Sequence, residues 1–142
     1  MTGMTVSDIN AFLREGFPGG GNPPLIEHAD GERAVCRMRY DERQLRPGGT
    51  LSGPTMMALA DTVVYALIFS AVGFTPLAVT TNLSINFLRK PGPADLIAEA
   101  RTLKHGKALF VADVIICSDG DDAPCAHAVV TYSIPPADQR PK

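Results

Sequence analysis

The stretch from Leu51 to Val79 constrains the fold most, because it is almost entirely apolar and contains a single charged residue, Asp61. About 20 apolar residues can span a membrane, but Pro54, Asp61 and Pro76 interrupt this run, and a carboxylate in mid-span is costly in lipid. The run begins far from the N-terminus without a basic segment before it, which argues against a signal peptide. A helix that is apolar nearly all round is buried on most sides, so we predict a central helix enclosed by the rest of the protein.

The sequence also marks the ends of this helix. Ser52 is a suitable N-cap, because its hydroxyl can accept a hydrogen bond from a first-turn N–H, and Pro54 is tolerated in the first turn. Gly73 stands where a left-handed C-terminal cap is expected. The helix predicted over residues 53–72 is on the order of 30 Å long at ~1.5 Å per residue.

Asp61 is the first candidate for chemistry. Its neighbours within the predicted helix include Met57, Leu59, Val63 and Val64, and a carboxylate buried among such side chains needs a partner. Carboxylates in unusual surroundings cluster at functional sites, although structural hydrogen-bond networks hold some of them. We predict that Asp61 takes part in a reaction, with a structural buried aspartate as the alternative.

Length and composition limit the remaining possibilities. With 142 residues, 45% of them hydrophobic, the chain is expected to form one domain with a core over about residues 25–134. A net charge of −2 gives no electrostatic reason to expect binding to nucleic acid or to a membrane surface. Cys36, Cys117 and Cys125 are odd in number and lack metal-ligand spacing, which predicts free thiols, a cytoplasmic location and no metal. We also expect no cofactor.

Hydrophobic periodicity predicts an α+β protein. A first helix is expected over about residues 6–17 with Ser7 as its cap, and residues 135–142 as a polar tail. Strands are predicted at residues 25–26, 34–40, 78–88, 96–103, 108–117 and 126–134. Alternation places the following residues on common faces: Leu83, Ile85 and Phe87, and then Ala128, Val130 and Tyr132. Short connections favour antiparallel pairing of strands that are adjacent in sequence, so the simplest architecture is a curved antiparallel sheet wrapped around the long helix.

Three segments carry a more specific pattern: RPGGTLSGPTMMALADTVVYAL from Arg46, AVTTNLSINFLRKPGPADLIAEARTLKHGKALFVADVII from Ala78, and CAHAVVTYSI from Cys125. A glycine at the helix start, Gly53, is followed eight residues later by the acid Asp61. Over roughly residues 25–134 this pattern resembles the hotdog-fold acyl-CoA thioesterases, particularly the phenylacetate-degradation type. The resemblance implies the hotdog fold, hydrolysis of an acyl-CoA, and a homodimer, often paired into a homotetramer, with sites at the subunit interface.

Two positions depart from the pattern of that family. Its members commonly have His-Gly-Gly at the helix start, where this chain has Ser52-Gly53-Pro54, and often an Asn seven residues before the glycine, where it has Arg46. The roles of Gly53 and Asp61 carry over, and those of the His and Asn do not. Arg46 is counted among the candidate substrate-binding residues. Two alternatives stay open: an acyl-CoA-binding module without activity, and a hydratase or dehydratase on the same fold, which usually needs a His beside the acid.

Thioester hydrolysis suits these residues on chemical grounds as well. Free N–H groups at a helix N-terminus stabilise a developing oxyanion, and Gly53 lets the backbone come close because it has no Cβ. Tight helix packing would explain the glycine equally well. Asp61 would act as general base or nucleophile. Ser52 would cap the helix, and its hydroxyl would also contact the acyl carbonyl or a water molecule.

The spacing of these residues has a consequence for assembly. Gly53 and Asp61 are eight residues apart, which is about 12 Å along one helix, and one carbonyl carbon cannot easily touch both. Two antiparallel copies of the helix, related by a two-fold axis, would place Gly53 of one chain near Asp61 of the other. We therefore predict a dimer with shared sites, or a dimer of dimers.

Binding of an acyl-CoA requires cations for its phosphates. Candidates lie at a strand end and around a turn: Arg89, Lys90, Lys104, His105, Gly106 and Lys107. Ordinary solvated charges at strand ends are the alternative.

A polar patch, Thr80, Thr81 and Asn82, begins the strand that is expected to pass near the helix. One of these side chains is expected to orient a water molecule or the Asp61 carboxylate, with a solvent-facing polar stretch as the alternative. His28 and His127 are expected to be ordinary strand residues.

Overall fold

The computed structural model describes residues 3–16, 23–41, 43, 45–46 and 49–139, with the backbone alone at positions 45, 46 and 50. The elements follow in the order α1 (Val6–Glu15), β1 (Leu25–Ala29), β2 (Arg33–Met38), β3 (Leu45–Arg46), β4 (Thr50–Leu51), α2 (Gly53–Val72), β5 (Val79–Phe87), β6 (Leu96–His105), β7 (Leu109–Ser118), β8 (Pro124–Ser133) and a short 3₁₀ helix (Ala137–Gln139). This is the predicted α+β order. The hairpin β3–β4 was not expected.

Six strands form one antiparallel sheet in the order β1-β2-β6-β7-β8-β5. The expectation that strands adjacent in sequence pair with each other is wrong for β5 and β6, because β5 lies at the edge beside β8 while β6 lies between β2 and β7. The cause is α2, which carries the chain from β2 across the sheet to the β5 edge. The return segment passes the start of α2, where Leu51 donates its N–H to the carbonyl of Pro91 (3.2 Å).

α2 packs on one face of the sheet. Its buried side chains are Met56, Leu59, Ala60, Val63, Val64, Ala66, Leu67, Ile68 and Phe69. The strand residues that face α2 have a period of two, which confirms the predicted common face of Ala128, Val130 and Tyr132, all buried. At 20 residues and a mean hydropathy of 1.8, α2 is long and apolar enough to cross a membrane, but half of it is buried inside the protein. This burial against the sheet agrees with the prediction that α2 is the core helix of the domain.

One strip of α2 is turned away from the sheet. Met57 is 40% exposed, and Asp61 and Thr62 are half-buried, at the helical spacing of three to five residues that places side chains on one side. The prediction that Asp61 is enclosed by apolar side chains is therefore wrong for the single chain. Sequence reasoning missed the strip because Pro54 and Met57, which share it, are as apolar as the residues on the buried side.

The predicted ends of α2 are confirmed. Ser52 accepts the N–H of Thr55 at 3.3 Å, Pro54 lies in the first turn, and Gly73 follows the last helical residue. Gly73 donates its N–H to the carbonyl of Phe69 (3.0 Å). Its φ of 101° is positive, as expected, but its ψ of −167° differs from the left-handed helical conformation that was predicted.

The first helix differs slightly from its prediction. Thr5, not Ser7, is the N-cap of α1, because its hydroxyl accepts the N–H of Asp8 at 3.1 Å. α1 ends at Glu15, and Phe17, the last residue of the predicted helix, lies outside the described residues. Gly16, which ends α1, has a φ of −78° and a ψ of −6°, ordinary for any residue.

The two helix-ending glycines should respond oppositely to alanine. Gly73→Ala places a Cβ at positive φ and should lower the free energy of unfolding by about 1–3 kcal/mol. Gly16→Ala meets no steric conflict, since its nearest contact would be 3.6 Å, and should raise that free energy by about 0.4–1 kcal/mol by restricting the unfolded chain. Denaturant unfolding at matched protein concentration measures both changes. A loss of the same size in both variants would contradict the conformational argument.

Candidate active site

Asp61 is held through one of its two carboxylate oxygens. Oδ1 accepts the hydroxyl of Thr80 at 2.5 Å and that of Tyr132 at 2.8 Å. The Tyr132 hydroxyl also lies 3.0 Å from the main-chain carbonyl of Asp61. Within the described part of the chain, no donor reaches Oδ2. The carboxylate is therefore oriented on one side and open on the other.

Two neighbouring strands bring these hydroxyls to α2. Thr80 is the second residue of β5, Tyr132 lies near the end of β8, and the two residues are partners in the β5–β8 ladder. Tyr132 is 3% exposed. Burial raises the pKa of the Tyr132 phenol well above its ordinary value, with a smaller contribution from the Asp61 charge. The phenol therefore stays protonated and acts as a donor. This geometry agrees with the expectation that one residue of the 80–82 patch would lie at the Asp61 carboxylate.

A cavity of about 320 Å³ opens in front of Asp61. Its lining consists of Asp61, Thr62, Tyr65, Ala78, Val79, Thr80 and Tyr132. The rings of Tyr65 and Tyr132 are stacked, with centroids 6.0 Å apart and an interplanar angle of 22°. The Tyr65 hydroxyl donates to the carbonyl of Pro76 at 2.9 Å, so it is engaged away from the carboxylate.

A second cavity of about 610 Å³ opens at the N-terminus of α2. Its lining consists of Leu51, Gly53, Pro54, Met56, Phe87, Leu88, Arg89, Lys90 and Pro91. A Cβ at position 53 would stand 3.2 Å from the Phe87 ring, which is tighter than ordinary contact. The missing side chain of Gly53 therefore both admits this ring and leaves the first turn of α2 open to the cavity.

The two cavities share no lining residue and lie at opposite ends of β5. Val79 and Thr80 belong to the Asp61 cavity, and Phe87 belongs to the Gly53 cavity. At ~3.3 Å per residue these ends of β5 are roughly 25 Å apart. One chain alone does not bring Gly53 and Asp61 to a common space.

The predicted cation groups are likewise separated. Arg89 and Lys90 line the Gly53 cavity, and Arg89 pairs with Asp121 at 3.3 Å. The turn 104–107 lies at the other end of the sheet, where Lys104 and His105 end β6, and Gly106 and Lys107 belong to its connection to β7. There the His105 ring packs against Phe110, with centroids 5.2 Å apart.

Within the described residues, neither Thr81 nor Asn82 is hydrogen-bonded to Asp61, and Arg46 is described by its backbone alone. The Thr81 hydroxyl donates to the carbonyl of Thr131 at 3.3 Å, and Asn82 is exposed on β5. The backbone of Arg46 pairs with that of Thr50, and the Arg46 side chain lies outside the described part of the structure.

The histidines His28 and His127 and the cysteine Cys36 lie outside both cavities. His28 bonds Asp30 at 2.9 Å and His127 bonds Asp113 at 2.5 Å, so both have acid partners that the sequence did not indicate. Burial raises the pKa of the Cys36 thiol to about 12, which keeps it protonated. Across residues 3–16, 23–41 and 49–139, no cluster of three or more His, Cys, Asp or Glu could hold a metal ion.

Sequence reasoning missed Tyr132 as a part of the site. Strand alternation placed it correctly on the inward face with Ala128 and Val130, and it is the hydroxyl-bearing member of that set. Nothing in the periodicity states which position of the helix faces the end of β8. The contact between Tyr132 and Asp61 depends on how α2 lies on the sheet.

Comparison with known proteins agrees with this architecture. Residues 48–125, more than half of the chain, match the thioesterase superfamily. A solved structure from Silicibacter sp. TM1040, described as a "putative thioesterase", is 43% identical, covering 96% of this chain and 95% of that chain with a TM-score of 0.86.

Two more distant relatives extend the comparison. A "putative esterase" of Saccharolobus solfataricus is 29% identical over 139 residues, which is 92% of this chain and 86% of that protein. The Streptococcus mutans protein smu.793, solved bound to acetyl-CoA, is 20% identical with a TM-score of 0.74, covers 87% of this chain and 95% of that chain, and shows the likeness of fold alone. The antiparallel sheet around α2 is the predicted hotdog fold, and the chain belongs to the thioesterase superfamily.

Proposed function

We propose that this protein hydrolyses an acyl-CoA, or a related acyl thioester, to the free acid and the thiol. Membership of the thioesterase superfamily supports acyl thioester hydrolysis in general. The observation that carries the finer proposal is the Asp61 carboxylate, which Thr80 and Tyr132 orient through Oδ1 and which lines a cavity of about 320 Å³. Asp61 is the general base or the nucleophile, and the Gly53 N–H polarises the thioester carbonyl.

Asp61 can promote hydrolysis in either of two ways. As general base, Asp61 removes a proton from water as the water oxygen attacks the thioester carbon, and the proton passes to the departing thiolate. As nucleophile, it forms a mixed anhydride while the thiolate leaves, and water then hydrolyses the anhydride. In both cases the negative carbonyl oxygen forms beside the Gly53 N–H at the N-terminus of α2, where the helix dipole stabilises it.

A symmetric dimer assembles both parts into one site. β5 is a nine-residue edge strand, and such edges pair readily with another strand. Exposed apolar side chains surround it: Met57, Leu77, Val79, Phe87 and Leu88. Antiparallel pairing of two β5 strands about a two-fold axis sets the Val79 end of one beside the Phe87 end of the other. The Asp61 cavity of one chain then meets the Gly53 cavity of its partner, which supports a homodimer or a dimer of dimers.

CoA as the thiol carrier is part of the proposal. A fold relative binds acetyl-CoA, and Arg89 and Lys90 stand at the Gly53 cavity. In the antiparallel dimer, the turn 104–107 of one chain comes to the same end of the assembly as Arg89 and Lys90 of the other. We propose that these two cation groups contact the CoA phosphates. On the motif resemblance we also propose that the protein is of the phenylacetate-degradation type, and on its free cysteines that it is cytoplasmic.

The second candidate is an acyl-CoA-binding module without activity. One observation favours it: the Ser52 hydroxyl, at the position of the family's His, is engaged by Thr55 through its N–H and its hydroxyl. A thiol-release assay over a panel of acyl-CoAs tests the choice. Release from none of them, with binding retained, would favour the module. A hydratase is less well supported, because serine replaces the histidine that this chemistry usually needs.

Asp61→Asn should retain the fold, because the amide oxygen still accepts from Thr80 and Tyr132. Turnover should fall by roughly 10²–10⁴-fold, the usual contribution of a positioned base, or further if Asp61 is the nucleophile. Asp138→Asn, an exposed acid in the 3₁₀ helix outside both cavities, is the matched control and should keep wild-type turnover. Thiol release measures both, and near-wild-type rates in Asp61→Asn would exclude the mechanism.

Ser52→Ala separates capping from catalysis. The lost cap should lower the free energy of unfolding by about 1 kcal/mol, and a hydroxyl that also meets the oxyanion should lower the rate roughly a hundredfold when removed. Thr5→Ala removes the equivalent cap of α1 and should cost similar stability without a rate change. If Ser52→Ala matches Thr5→Ala in both measurements, Ser52 is a cap only.

A mixed dimer tests the shared site. Gly53→Val should block the cavity, because its Cβ meets the Phe87 ring, and Asp61→Asn removes the base, so each homodimer should be inactive. In each heterodimer one site has both residues intact and the other has neither, so a heterodimer should recover up to about half of the activity of a wild-type dimer by two-fold symmetry. Mass spectrometry verifies subunit exchange. If exchange occurs and no activity returns, Gly53 and Asp61 act within one chain.

A further inference from the structure

We propose that Tyr132 is a positioning residue of this site: its buried hydroxyl, together with that of Thr80, fixes Oδ1 of Asp61 and leaves Oδ2 as the oxygen that takes the proton or attacks the substrate. The proposal rests on the proposed function of Asp61. It assigns a role to a residue on a strand remote in sequence from the helix, and it distinguishes two oxygens that are chemically equivalent in a free carboxylate.

Both hydrogen bonds end on the same oxygen. The Thr80 and Tyr132 hydroxyls approach Oδ1 at 2.5 Å and 2.8 Å from adjacent strands. An unrestrained aspartate carboxylate turns about its broad terminal torsion, which would exchange Oδ1 and Oδ2. Two donors on one oxygen oppose that rotation, so Oδ2 stays directed away from β5 and β8 and free to react.

The two donors differ in how firmly they are held. Thr80 is exposed, whereas Tyr132 is buried and its ring is stacked on Tyr65. A buried hydroxyl cannot replace a lost protein partner with bulk water. Tyr132 therefore donates to the carboxylate from a position that is held rigidly in the sheet, and Thr80 donates a second hydrogen bond from the solvent side.

A second acceptor lets Tyr132 serve both protonation states of Asp61. A phenol has one hydrogen to donate, and this one lies 2.8 Å from Oδ1 and 3.0 Å from the Asp61 carbonyl. The ionised carboxylate is the stronger acceptor. When Asp61 gains a proton, the carbonyl can receive the hydrogen instead, so the buried hydroxyl keeps a partner throughout the reaction.

Simple core packing is the competing explanation, and Tyr65 provides its control. Tyr65 lines the same cavity and carries the same hydroxyl, but donates to Pro76 and not to Asp61. The titratable side chains that line the cavity are Asp61 on α2 with Tyr65, and Tyr132 on β8, while β5 contributes the uncharged Thr80. A change in the titration of Asp61 therefore reports the hydroxyl that was removed.

The first measurement does not depend on catalysis. The carboxyl carbon of Asp61 is observed by ¹³C NMR, assigned by its loss in Asp61→Asn, and titrated in the wild type, Tyr132→Phe and Tyr65→Phe. Loss of a donor to the charged form should move the midpoint upward in Tyr132→Phe, and Tyr65→Phe should keep the wild-type midpoint. An unmoved midpoint in Tyr132→Phe, or an equal shift in Tyr65→Phe, overturns the proposal.

The second measurement is the pH profile of thiol release. In Tyr132→Phe the acid limb of kcat/KM should move in the same direction, and kcat on the plateau should fall by roughly tenfold with KM nearly unchanged, because orientation and not binding is lost. A rise in KM with kcat unchanged would overturn the positioning role. If the wild type releases no thiol from any acyl-CoA, the proposed function fails while the NMR titration still decides the role of Tyr132.

A third variant covers a folding failure. If Tyr132→Phe melts below the assay temperature, a ring-fluorinated tyrosine at position 132 keeps the ring and the hydroxyl but donates more strongly. The Asp61 midpoint should then move to lower pH. A fluorinated protein that titrates as the wild type does would overturn the proposal.

Discussion

The packing of α2 against the sheet is the interaction on which the rest of the structure depends. The inward positions of the central strands combine large side chains with alanines at 98, 100, 112, 126 and 128, all fully or almost fully buried. These alanines let the helix lie close, and the burial supplies the hydrophobic free energy, about 25 cal/mol per Å² of apolar surface. Because such a core is close-packed, it fixes the rotation of α2 about its own axis. That rotation decides which residues of α2 face outward.

The outward strip of α2 contributes to two separate cavities, one at each end of β5. Its first residues meet the cavity beside the Phe87 end of β5, and Asp61 meets the cavity beside the Val79 end. The helix and the edge strand thus run side by side with the N-terminus of α2 at one end and the Asp61 carboxylate at the other. A two-fold axis joins the unlike ends, so the assembly we propose follows from the geometry of one chain.

The sequence predicts those features that depend on local chemistry. Ser52, Pro54 and Gly73 define α2 because capping requires particular side chains or conformations, and strand alternation places Tyr132 on the inward face. The position of β5 at the far edge is not predictable in this way, because it depends on where α2 delivers the chain. The partners of Asp61 are hidden for the same reason. Periodicity does not distinguish Thr80 from its polar neighbours Thr81 and Asn82, and Tyr132 lies 71 residues from Asp61 in sequence.

The replacement of the family's histidine by Ser52 changes the electrostatics of the proposed site. In this chain the carboxylate is oriented by hydroxyls, which donate without carrying a charge. Burial raises the pKa values of Tyr65 and Tyr132, so both remain neutral donors in the range where a carboxylate is ionised. A hydroxyl also satisfies its own hydrogen-bonding needs after the proton has moved, as the carbonyl of Asp61 allows for Tyr132. A carboxylate anchored by neutral donors on one oxygen can therefore keep its orientation through a catalytic cycle without an imidazole, which is the physical reason to expect activity from a chain that lacks the usual histidine.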